Sequence, residues 1–366
     1  MSDLDVDVLV VGSGAAGVAA ARAAREGGAR VAVVSAGVGA TALTGGLVWG
    51  LAKDPLAAWA APSIRLGGRY ATVSGWIAAE ARGALASLLD LGALGPGVLA
   101  VVDLPTHPSW SARLVAQTLG AKVVTARLDA EETFLETAAR LDTDGIAEGL
   151  AASLRADCAG CAGVLFPPVL GLRRDDVAER VGRVLGVPVG EAAGGVGDPP
   201  GVRLERAIRR WIPADVRVHR ARATVTSGAR VSVALSDGTG VRARAVVLAT
   251  GGLTGGGLTF EATLREVTAG APVWTRTHTP VPQATGAARG ADPARWFGDG
   301  GERADAAGVR VGEGGRVLDG DGETPLAPWL FAAGDVTVNR ENDGLADALA
   351  AGQRAGAEAA RHAAKG

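Results

Sequence analysis

The sequence predicts an α/β protein in which a Rossmann-like nucleotide-binding domain, a parallel sheet with a β-meander, is interrupted by an inserted α/β cap domain. Three observations predict this fold. An apolar strand runs into a glycine-rich turn and a helix near residue 12, a second apolar strand ends in two glycines near residue 251, and an alanine-rich helix closes the chain. The nucleotide-binding domain is expected to comprise residues 1–55, 196–256 and 301–366, and the cap domain residues 56–195 and 257–300.

The first element is a strand–turn–helix–strand unit. Asp5–Val11 is a short apolar run rich in valine, Val18–Glu26 is predicted to be a helix, and Ala29–Ser35 is a second apolar strand. The turn between the first strand and the helix reads GSGAAG, from Gly12 to Gly17. Because 55 of the 366 residues are glycine, a glycine motif alone would be weak evidence in this chain. Its position between an apolar strand and a helix is typical of a dinucleotide-binding unit.

Each glycine of this turn has its own predicted role. Gly12 permits the tight turn, Gly14 lets a pyrophosphate approach the backbone, and Gly17 lets the helix pack closely on the strand. The free N–H groups of the turn, with Ala15 and Ala16 among the expected binding residues, would face the phosphates, which the dipole of the following helix also attracts. The alternative is a tight turn without a ligand in an ordinary α/β protein.

The end of the second strand departs from the usual pattern. An acidic residue normally stands there and accepts hydrogen bonds from the adenosine ribose, but this strand ends in Ser35. A serine bonds a ribose hydroxyl more weakly than a carboxylate does. We therefore expect either a loosely held adenine end or a mononucleotide, which has no such ribose.

The middle and C-terminal regions supply the remaining elements. Cap helices are predicted at Ala79–Leu91, Asp129–Leu141 and Asp175–Leu185. A three-strand meander is predicted at Val216–Arg222, Arg230–Leu235 and Val241–Arg244. A helix over Val202–Trp211 precedes the meander, a separate buried strand over Ala245–Thr250 follows it, and a helix over Gly344–Ala364 ends the chain.

Two later motifs indicate the type of cofactor. The segments VLATGG, at 247–252, and LFAAGD, at 330–335, combine with the N-terminal turn to resemble the three signatures of the two-domain FAD-dependent oxidoreductases. The resemblance implies a bound FAD near Thr250, Gly251 and Gly334. It also implies that Asp335 bonds the ribityl chain. The final helix, which starts near Gly344 and Leu345, would aim its N-terminus at the flavin pyrimidine ring, where reduction places negative charge.

A closer resemblance spans most of the chain. The loop GATALTGG, at 39–46, looks like the segment after the second strand in the B subunit of anaerobic glycerol-3-phosphate dehydrogenase. Further segments resemble the same family: 164–172, 185–189, 200–204, 250–258, 265–266 and 271–273. The resemblance adds Thr41, Thr44, Gly45 and Gly46 to the expected cofactor-binding residues.

This family resemblance also implies partners and a reaction. Its B subunit is described as carrying FMN, and it works beside a catalytic A-type flavoprotein and an iron–sulfur subunit that anchors the complex to the membrane. The complex oxidises glycerol 3-phosphate and passes electrons toward quinone. The segment VTVNREND, at 336–343, departs from the family's Gly- and Cys-containing loop.

Candidate catalytic residues lie between the last two motifs. His278 is the first candidate for a general base, and Arg276 and Arg289 are candidates to hold an anionic substrate group, since arginine pairs with phosphate or carboxylate in a bidentate manner. His107 is a second candidate base. The alternative for each histidine is an ordinary surface or packed side chain.

Bulk properties exclude several classes of protein. The formal net charge of −2 argues against nucleic-acid binding. The sequence has no apolar run of about 18 residues, and it does not open like a signal peptide, so we expect a cytoplasmic protein, or one held at the inner membrane by a partner subunit. Cys158 and Cys161 fit incidental buried thiols, a redox pair or half of an intersubunit metal site; we predict no metal site within the chain.

Three functions remain open from the sequence. The first is a flavin-dependent oxidoreductase similar to the B subunit of the anaerobic, quinone-linked glycerol-3-phosphate dehydrogenase, with FAD or alternatively FMN. The second is a stand-alone flavin dehydrogenase or reductase of the fumarate reductase type that acts on another small anion. The third is a non-catalytic electron-transfer subunit of a complex.

Overall fold

The computed structural model describes residues 4–48, 68–78, 82–83, 87–128, 132–195, 197–226, 231–260, 264–276, 278, 280–281, 306–338 and 344–365. The strands are β1 Leu4–Val11, β2 Val31–Val34, β3 Leu47–Val48, β4 Tyr70–Ala71, β5 Ile77–Ala78, β6 Arg82–Gly83, β7 Leu99–Asp103, β8 Lys122–Thr125, β9 Gly163–Phe166, β10 Val189–Glu191, β11 Arg217–His219, β12 Ala223–Thr226, β13 Val231–Leu235, β14 Gly240–Leu248, β15 Leu258–Phe260, β16 Leu264–Glu266, β17 Val273–Trp274, β18 Gly308–Val309 and β19 Leu330–Ala332. The α-helices are α1 Ala15–Glu26, α2 Ala112–Leu119, α3 Phe134–Leu141, α4 Ile146–Leu154, α5 Val177–Leu185, α6 Pro199–Arg209 and α7 Leu345–Lys365.

The chain divides into two compact units. The first unit comprises residues 1–40, 50–56 and 208–366, and the second unit comprises residues 41–49 and 57–207. The boundaries predicted for a nucleotide-binding domain and a cap domain stay a prediction.

A mixed sheet forms the centre of the first unit. Its strand order is β11-β2-β1-β14-β13-β12, and β19 lies beside the second half of β14. Strand β1 runs parallel to both β2 and β14, and β19 runs parallel to β14. The central strands are valine-rich and buried because a parallel sheet is covered on both faces. The α/β fold class, with a Rossmann-like parallel sheet and a β-meander, is therefore confirmed.

The meander differs from the predicted one in two respects. It consists of β12, β13 and β14, whereas β11 pairs in parallel with β2 on the far side of the sheet. The segments Val241–Arg244 and Ala245–Thr250, predicted as two strands, form the single strand β14. Burial alternates along the first half of β14 and is continuous along the second half. The first half of this strand belongs to a meander with one solvated face, and the second half belongs to the buried parallel sheet. The change from alternating to continuous apolar residues therefore reflects a change of surroundings along one strand, and the strand itself is not interrupted.

Two helices of small residues pack together on this sheet. α1 buries nine of its residues, mostly alanines, and α7 buries a stripe of alanine, leucine and glycine. Side chains at Gly352 and Gly356 of α7 would overlap the carbonyl oxygens of Ala16 and Ala20 of α1. The glycines at this spacing lie on one helix face and allow the two backbones to touch.

The second unit contains a parallel sheet of its own. Four strands in the order β10-β9-β7-β8 run parallel to one another. The helices α2 to α5 supply the apolar side chains that pack around it. The sequence predicted an α/β region here, but it did not predict the order of the strands in the sheet.

Two of the predicted cap helices are present. Asp175–Leu185 corresponds to α5, which begins at Val177. Asp129–Leu141 corresponds to α3, which Thr133 caps through a reciprocal pair of bonds with Glu136; residues 129–131 lie outside the described residues.

The predicted helix at Ala79–Leu91 is wrong over its described residues. Arg82–Gly83 is strand β6, and residues 87–91 are not helical. The N–H of Leu89 donates to the carbonyl of Glu191, and the N–H of Glu191 donates to the carbonyl of Ser87, at 3.0 and 2.8 Å. Pairing with the end of β10 replaces the hydrogen bonds that a helix would make, so tertiary contact overrides the local helical preference.

None of the helices in the described ranges is long and apolar enough to cross a membrane.

Candidate functional site

Four neighbouring parallel strands of the first unit, β2, β1, β14 and β19, end at one edge of its sheet, as does β11 beside β2. We call this edge the carboxyl edge. Val11 of β1 is in register with Val34 of β2 and with Leu248 of β14, and Leu248 is in register with Ala332 of β19. The chain therefore leaves the sheet side by side in four loops, which begin at Gly12, Ser35, Ala249 and Ala333. Ligands of open α/β sheets bind at such an edge.

Two glycines of the N-terminal turn are required by packing. Gly12 has a φ of +114°, and a side chain there would overlap the carbonyl oxygen of Ala249. A side chain on Gly17 would overlap the carbonyl oxygen of Gly12. These contacts fix the turn against the loop that follows β14.

Gly14 is different from its two neighbours. It has an extended conformation, with φ −71° and ψ −176°, and a side chain there would meet no atom within 4 Å. It precedes the first turn of α1, which has no side-chain cap and no acidic residue. The start of α1, with Ala15 and Ala16, thus offers N–H groups and an open space to an anion.

A pair of serine hydroxyls lies at the next loop. Ser13 Oγ donates to Ser35 Oγ at 2.8 Å, and Ser13 is 3% exposed. The N–H of Ser35 donates to the carbonyl of His219 at 2.9 Å, which holds the end of β2 against β11. The sequence reasoning missed Ser13, because it occupies a variable position of the glycine motif.

The loops after β14 and β19 touch each other. Gly251 has a φ of +76°, and a side chain on Gly252 would lie 2.7 Å from the carbonyl oxygen of Asp335. The hydroxyl oxygen of Thr250 is buried and has no hydrogen-bond partner in the described part of the chain. A buried polar atom of this kind is normally satisfied by a ligand or by water.

Gly334 joins this loop pair to α1. It has a φ of +75°, and a side chain there would lie 2.6 Å from Cβ of Ala16. Both the N–H and the hydroxyl of Thr337 donate to its carbonyl oxygen, at 2.9 and 2.8 Å. The partly exposed Asp335 is thereby held next to the start of α1.

The final helix begins at Leu345, where the carbonyl of Gly344 accepts a hydrogen bond from the N–H of Ala348 at 3.1 Å. Its packing on α1 through Gly352 and Gly356 fixes its N-terminal half beside the turn. The four-residue spacing of these two glycines is the sequence signal from which the close packing of α7 on α1 could have been predicted.

The second glycine-rich loop lies in the second unit. Thr44 Oγ1 donates to the carbonyl of Thr41 at 2.9 Å. Gly45 and Gly46 have φ values of +63° and +86°. A side chain on Gly45 would overlap the carbonyl oxygen of Gly194, and one on Gly46 would lie 2.6 Å from Cβ of Pro200. Packing against the segment that leads into α6 therefore explains both glycines, and their cofactor role stays a prediction.

The two described catalytic candidates lie on a turn of the first unit. Arg276 and His278 are exposed, and His278 has a left-handed φ of +61°. The N–H of His278 donates to the carbonyl of Thr275 at 3.0 Å, which closes the turn that follows β17. Arg289 lies outside the described residues.

A family model described as an FAD binding domain matches residues 7–297, more than half of the chain. The chain belongs to the FAD binding domain family. It is a flavin-dependent oxidoreductase, and the prediction of an FAD flavoprotein is confirmed. This match does not show that the chain is close to the B subunit of glycerol-3-phosphate dehydrogenase.

Several solved structures are similar to this FAD binding domain protein at low identity. The 3-ketosteroid-Δ4-(5α)-dehydrogenase from Rhodococcus jostii RHA1 is 16% identical over 98% of both chains, with a TM-score of 0.40. A flavocytochrome c3 fumarate reductase is 17% identical over 98% of this chain and 79% of its own, with a TM-score of 0.36. Mycobacterium smegmatis Sdh1 is 15% identical over 100% of this chain and 70% of its own, with a TM-score of 0.35. At these values the likenesses say nothing about substrate or partners. No curated protein sequence matches the chain.

The carboxyl edge fits an FAD. The open space at Gly14, the uncapped start of α1 and the unpartnered hydroxyl of Thr250 are the features that a bound nucleotide would fill. Only the ribose end departs from the usual chemistry, since Ser35 stands where a carboxylate is expected.

His107 belongs to the interior of the second unit. Its two ring nitrogens are hydrogen-bonded to the hydroxyls of Thr106 and Thr137, at 3.1 and 3.0 Å, and its ring stacks on Phe134. Burial lowers the pKa of His107, an effect that Arg140 adds to and Glu132 opposes. These contacts favour the interpretation as a packed histidine.

The cysteine pair is buried in the same unit. Cys158 and Cys161 are free thiols, 0% and 7% exposed. Burial raises the pKa of Cys158, whereas a reactive cysteine needs a lowered one. Incidental buried thiols therefore fit better than a redox pair. Within the described ranges, no cluster of three or more His, Cys, Asp or Glu side chains is placed to hold a metal.

Proposed function

We propose that the chain is a flavin-dependent dehydrogenase that oxidises a small phosphorylated alcohol such as glycerol 3-phosphate, as a component similar to the B subunit of the anaerobic, quinone-linked enzyme. The sequence resemblance over the segments from Gly39 to Val273 supports this substrate class. One observation carries the placement of the cofactor: the predicted FAD-binding loops of the first unit meet at one edge of its sheet.

The proposal assigns the parts of FAD to named residues. The pyrophosphate would lie at Gly14 and the start of α1, where N–H groups and the helix dipole favour negative charge. The ribityl chain would bond Asp335, and the flavin ring would lie toward the N-terminus of α7, near Gly344 and Leu345. The resemblance also names Thr41, Thr44, Gly45 and Gly46 as cofactor-binding residues, and this role stays a prediction.

The described contacts support a location for the catalytic candidates near the flavin end. Strand β17 pairs with β18, and the carbonyl of Val309 in β18 accepts a hydrogen bond from the N–H of Val338 at 2.9 Å. Val338 lies three residues after Asp335. The turn that carries Arg276 and His278 follows β17 directly. These residues are therefore two short strands away from the proposed ribityl-binding residue.

In this proposal the flavin supplies hydride acceptance when bound. His278 would accept the proton of the substrate hydroxyl, and Arg276 and Arg289 would pair with its phosphate in a bidentate manner. The chain would deliver electrons within a complex that holds an A-type flavoprotein and an iron–sulfur subunit, and that complex would place it at the inner membrane.

Anaerobic reduction of the full-length flavoprotein tests this function. Glycerol 3-phosphate is expected to bleach the flavin absorbance near 450 nm (roughly, the flavin band), whereas glycerol, which lacks the phosphate, is not. Arg276→Gln should raise the concentration of glycerol 3-phosphate needed by at least about tenfold. Arg242→Gln, which changes an exposed arginine of the meander, should leave it unchanged. A flavin that dithionite reduces and glycerol 3-phosphate does not would contradict the proposal and favour the electron-transfer subunit.

A further inference from the structure

One buried hydrogen-bond donor beside the proposed catalytic turn is left unpaired. Trp274 ends β17 and is 3% exposed, and its indole Nε1–H has no hydrogen-bond partner in the described part of the chain. Trp110, which is also buried, shows the usual arrangement, because its Nε1–H donates to the carbonyl of Val102 at 2.7 Å. A buried tryptophan N–H normally has an acceptor, so an unpaired one points to a ligand or to a water molecule.

The ring of Trp274 is fixed by two contacts. The guanidinium carbon of Arg310 lies 5.4 Å from the ring centroid, within the range of a cation–π interaction. Gly322 has a φ of +72°, and a side chain there would lie 3.1 Å from Cη2 of Trp274 and 2.6 Å from Nη1 of Arg310. The indole cannot turn toward another acceptor without displacing these groups, so the fold sets the direction of its N–H.

The strand that carries Trp274 lies against the segment that follows Asp335. Trp274 pairs with Gly308 of β18. A side chain on Gly308 would overlap the backbone of Thr337 and Val338. The unpaired donor is therefore placed on the strand pair that contacts the continuation of the proposed ribityl-binding loop, within the first unit.

We infer that the Trp274 indole N–H is a further substrate-binding donor of this chain, and that it bonds an oxygen of the substrate's phosphate group. Trp274 stands two residues before Arg276 and four before His278, the residues proposed to act on the substrate. A hydrogen bond to a charged oxygen is about twice as strong as one between neutral groups, so a phosphate suits a donor that no described protein group satisfies. Arg310 is a positioning residue that holds the ring. The inference rests on the proposed function, which brings the substrate to this turn.

The indole N–H resonances of the full-length flavoprotein test this inference directly. The chain has eight tryptophans, and Trp274→Phe assigns the resonance of Trp274 because it removes one of the eight. Inorganic phosphate, added to the oxidised flavoprotein, should shift the Trp274 resonance. It should leave the resonance of Trp110 in place, since that N–H already has a protein acceptor. A Trp274 resonance that phosphate does not move would overturn the inference.

Calorimetric titration with inorganic phosphate measures what the donor contributes. Trp274→Phe keeps an aromatic ring beside Arg310 and removes the N–H, so it should weaken phosphate binding at least about threefold. Trp110→Phe is the matched control and should leave the affinity unchanged. Arg310→Gln should weaken phosphate binding by a smaller factor than Trp274→Phe. Its matched control is Arg316→Gln, which removes an arginine that lies 5.9 Å from the ring centroid of Phe331. Retained FAD absorbance shows that each variant folds, and equal effects of the two tryptophan variants would contradict the inference.

These measurements separate the inference from the proposed function. If glycerol 3-phosphate bleaches the flavin and phosphate leaves the Trp274 resonance in place, only the donor inference fails. If phosphate shifts that resonance and glycerol 3-phosphate does not bleach the flavin, the donor site stands and the proposed substrate fails. A shift that appears when FAD binds to the apoprotein, and not when phosphate is added, would assign the donor to the cofactor and overturn the inference.

Discussion

Gly352 of α7 lies against Ala16 of α1 so closely that a side chain at Gly352 would overlap the carbonyl oxygen of Ala16. Ala16 stands in the first turn of α1, where the glycine turn presents its N–H groups, and it also contacts Gly334. The helix that closes the chain thus fixes the position of the turn that opens it. Two segments separated by more than 300 residues thus form one structural element of the proposed FAD site.

This contact predicts the effect of adding a single methyl group. Gly352→Ala should lower the free energy of unfolding by about 1–3 kcal/mol, because the buried interface has no room for Cβ. Gly149→Ala is the matched control: it lies on an exposed face of α4, where a side chain would meet no atom within 4 Å. It should raise the free energy of unfolding by about 0.5–1 kcal/mol, since alanine favours a helix. Urea unfolding of both variants measures the difference, and equal shifts would contradict the contact.

A second prediction concerns the open space at Gly14. Gly14→Val should weaken FAD binding by about tenfold or more, because the side chain would enter the volume assigned to the pyrophosphate. Its φ of −71° suits any residue, so the fold should persist. Gly320→Val is the control, since a side chain there also meets no atom within 4 Å, in a turn far along the chain. Fluorescence titration with FAD should separate the two variants; similar affinities would count against the site.

A third prediction concerns a buried ion pair in the second unit. Glu191 and Arg203 pair with side chains 0% and 4% exposed, and Glu191 also accepts from Ser87 Oγ and from the N–H of Leu170, at 2.9 and 2.8 Å. Burial lowers the pKa of Arg203 to about 9, so the guanidinium is still charged at neutral pH.

Removing one charge of this pair should be costly. Glu191→Gln leaves the buried guanidinium without its counter-ion and should lower the free energy of unfolding by about 3–5 kcal/mol. Glu179→Gln removes a carboxylate that is 76% exposed and faces Arg183, and it should change stability by less than about 0.5 kcal/mol. Urea unfolding at pH 7 checks both values. A small effect of Glu191→Gln would mean that the pair is solvated.

The pH dependence of stability should report on His107. Because burial lowers its folded pKa below the ordinary value of 6.5, the unfolded state binds more protons as the pH falls through 6.5. Stability should therefore fall with acidification over that window. His107→Gln should lose less stability than the wild type between pH 7 and pH 5. Equal losses in the two proteins, measured by urea unfolding, would contradict the buried neutral imidazole.

The sequence was sufficient to predict the strand–turn–helix unit at the carboxyl edge, because the signals for that unit are local. A strand, a glycine turn and a helix follow one another within residues 4–26, and Gly12 and Gly17 are fixed by contacts within that unit and with the end of β14. The buried strands around Val247 and Phe331 could be predicted because each is a continuous apolar run, which parallel strands covered on both faces require.

The parts that sequence reasoning missed depend on distant partners. Residues 87–91 look helical, yet they bond to Glu191, about a hundred residues later. The assignment of β11 to the meander failed because its partner, β2, lies far away in the sequence. Contacts with Gly194 and Pro200, which the sequence could not show, account for the close packing of Gly45 and Gly46, and their cofactor role stays a prediction. Ser13 could not be singled out, because its partner Ser35 is known only from the fold.

A crystal structure of the full-length protein with bound FAD is the decisive test of the proposed FAD placement. We expect the pyrophosphate to lie within hydrogen-bond distance of the backbone N–H groups that follow Gly14, and the ribityl chain to contact Asp335. An FAD bound elsewhere, with the Gly12–Gly17 turn free of the nucleotide, would contradict that placement.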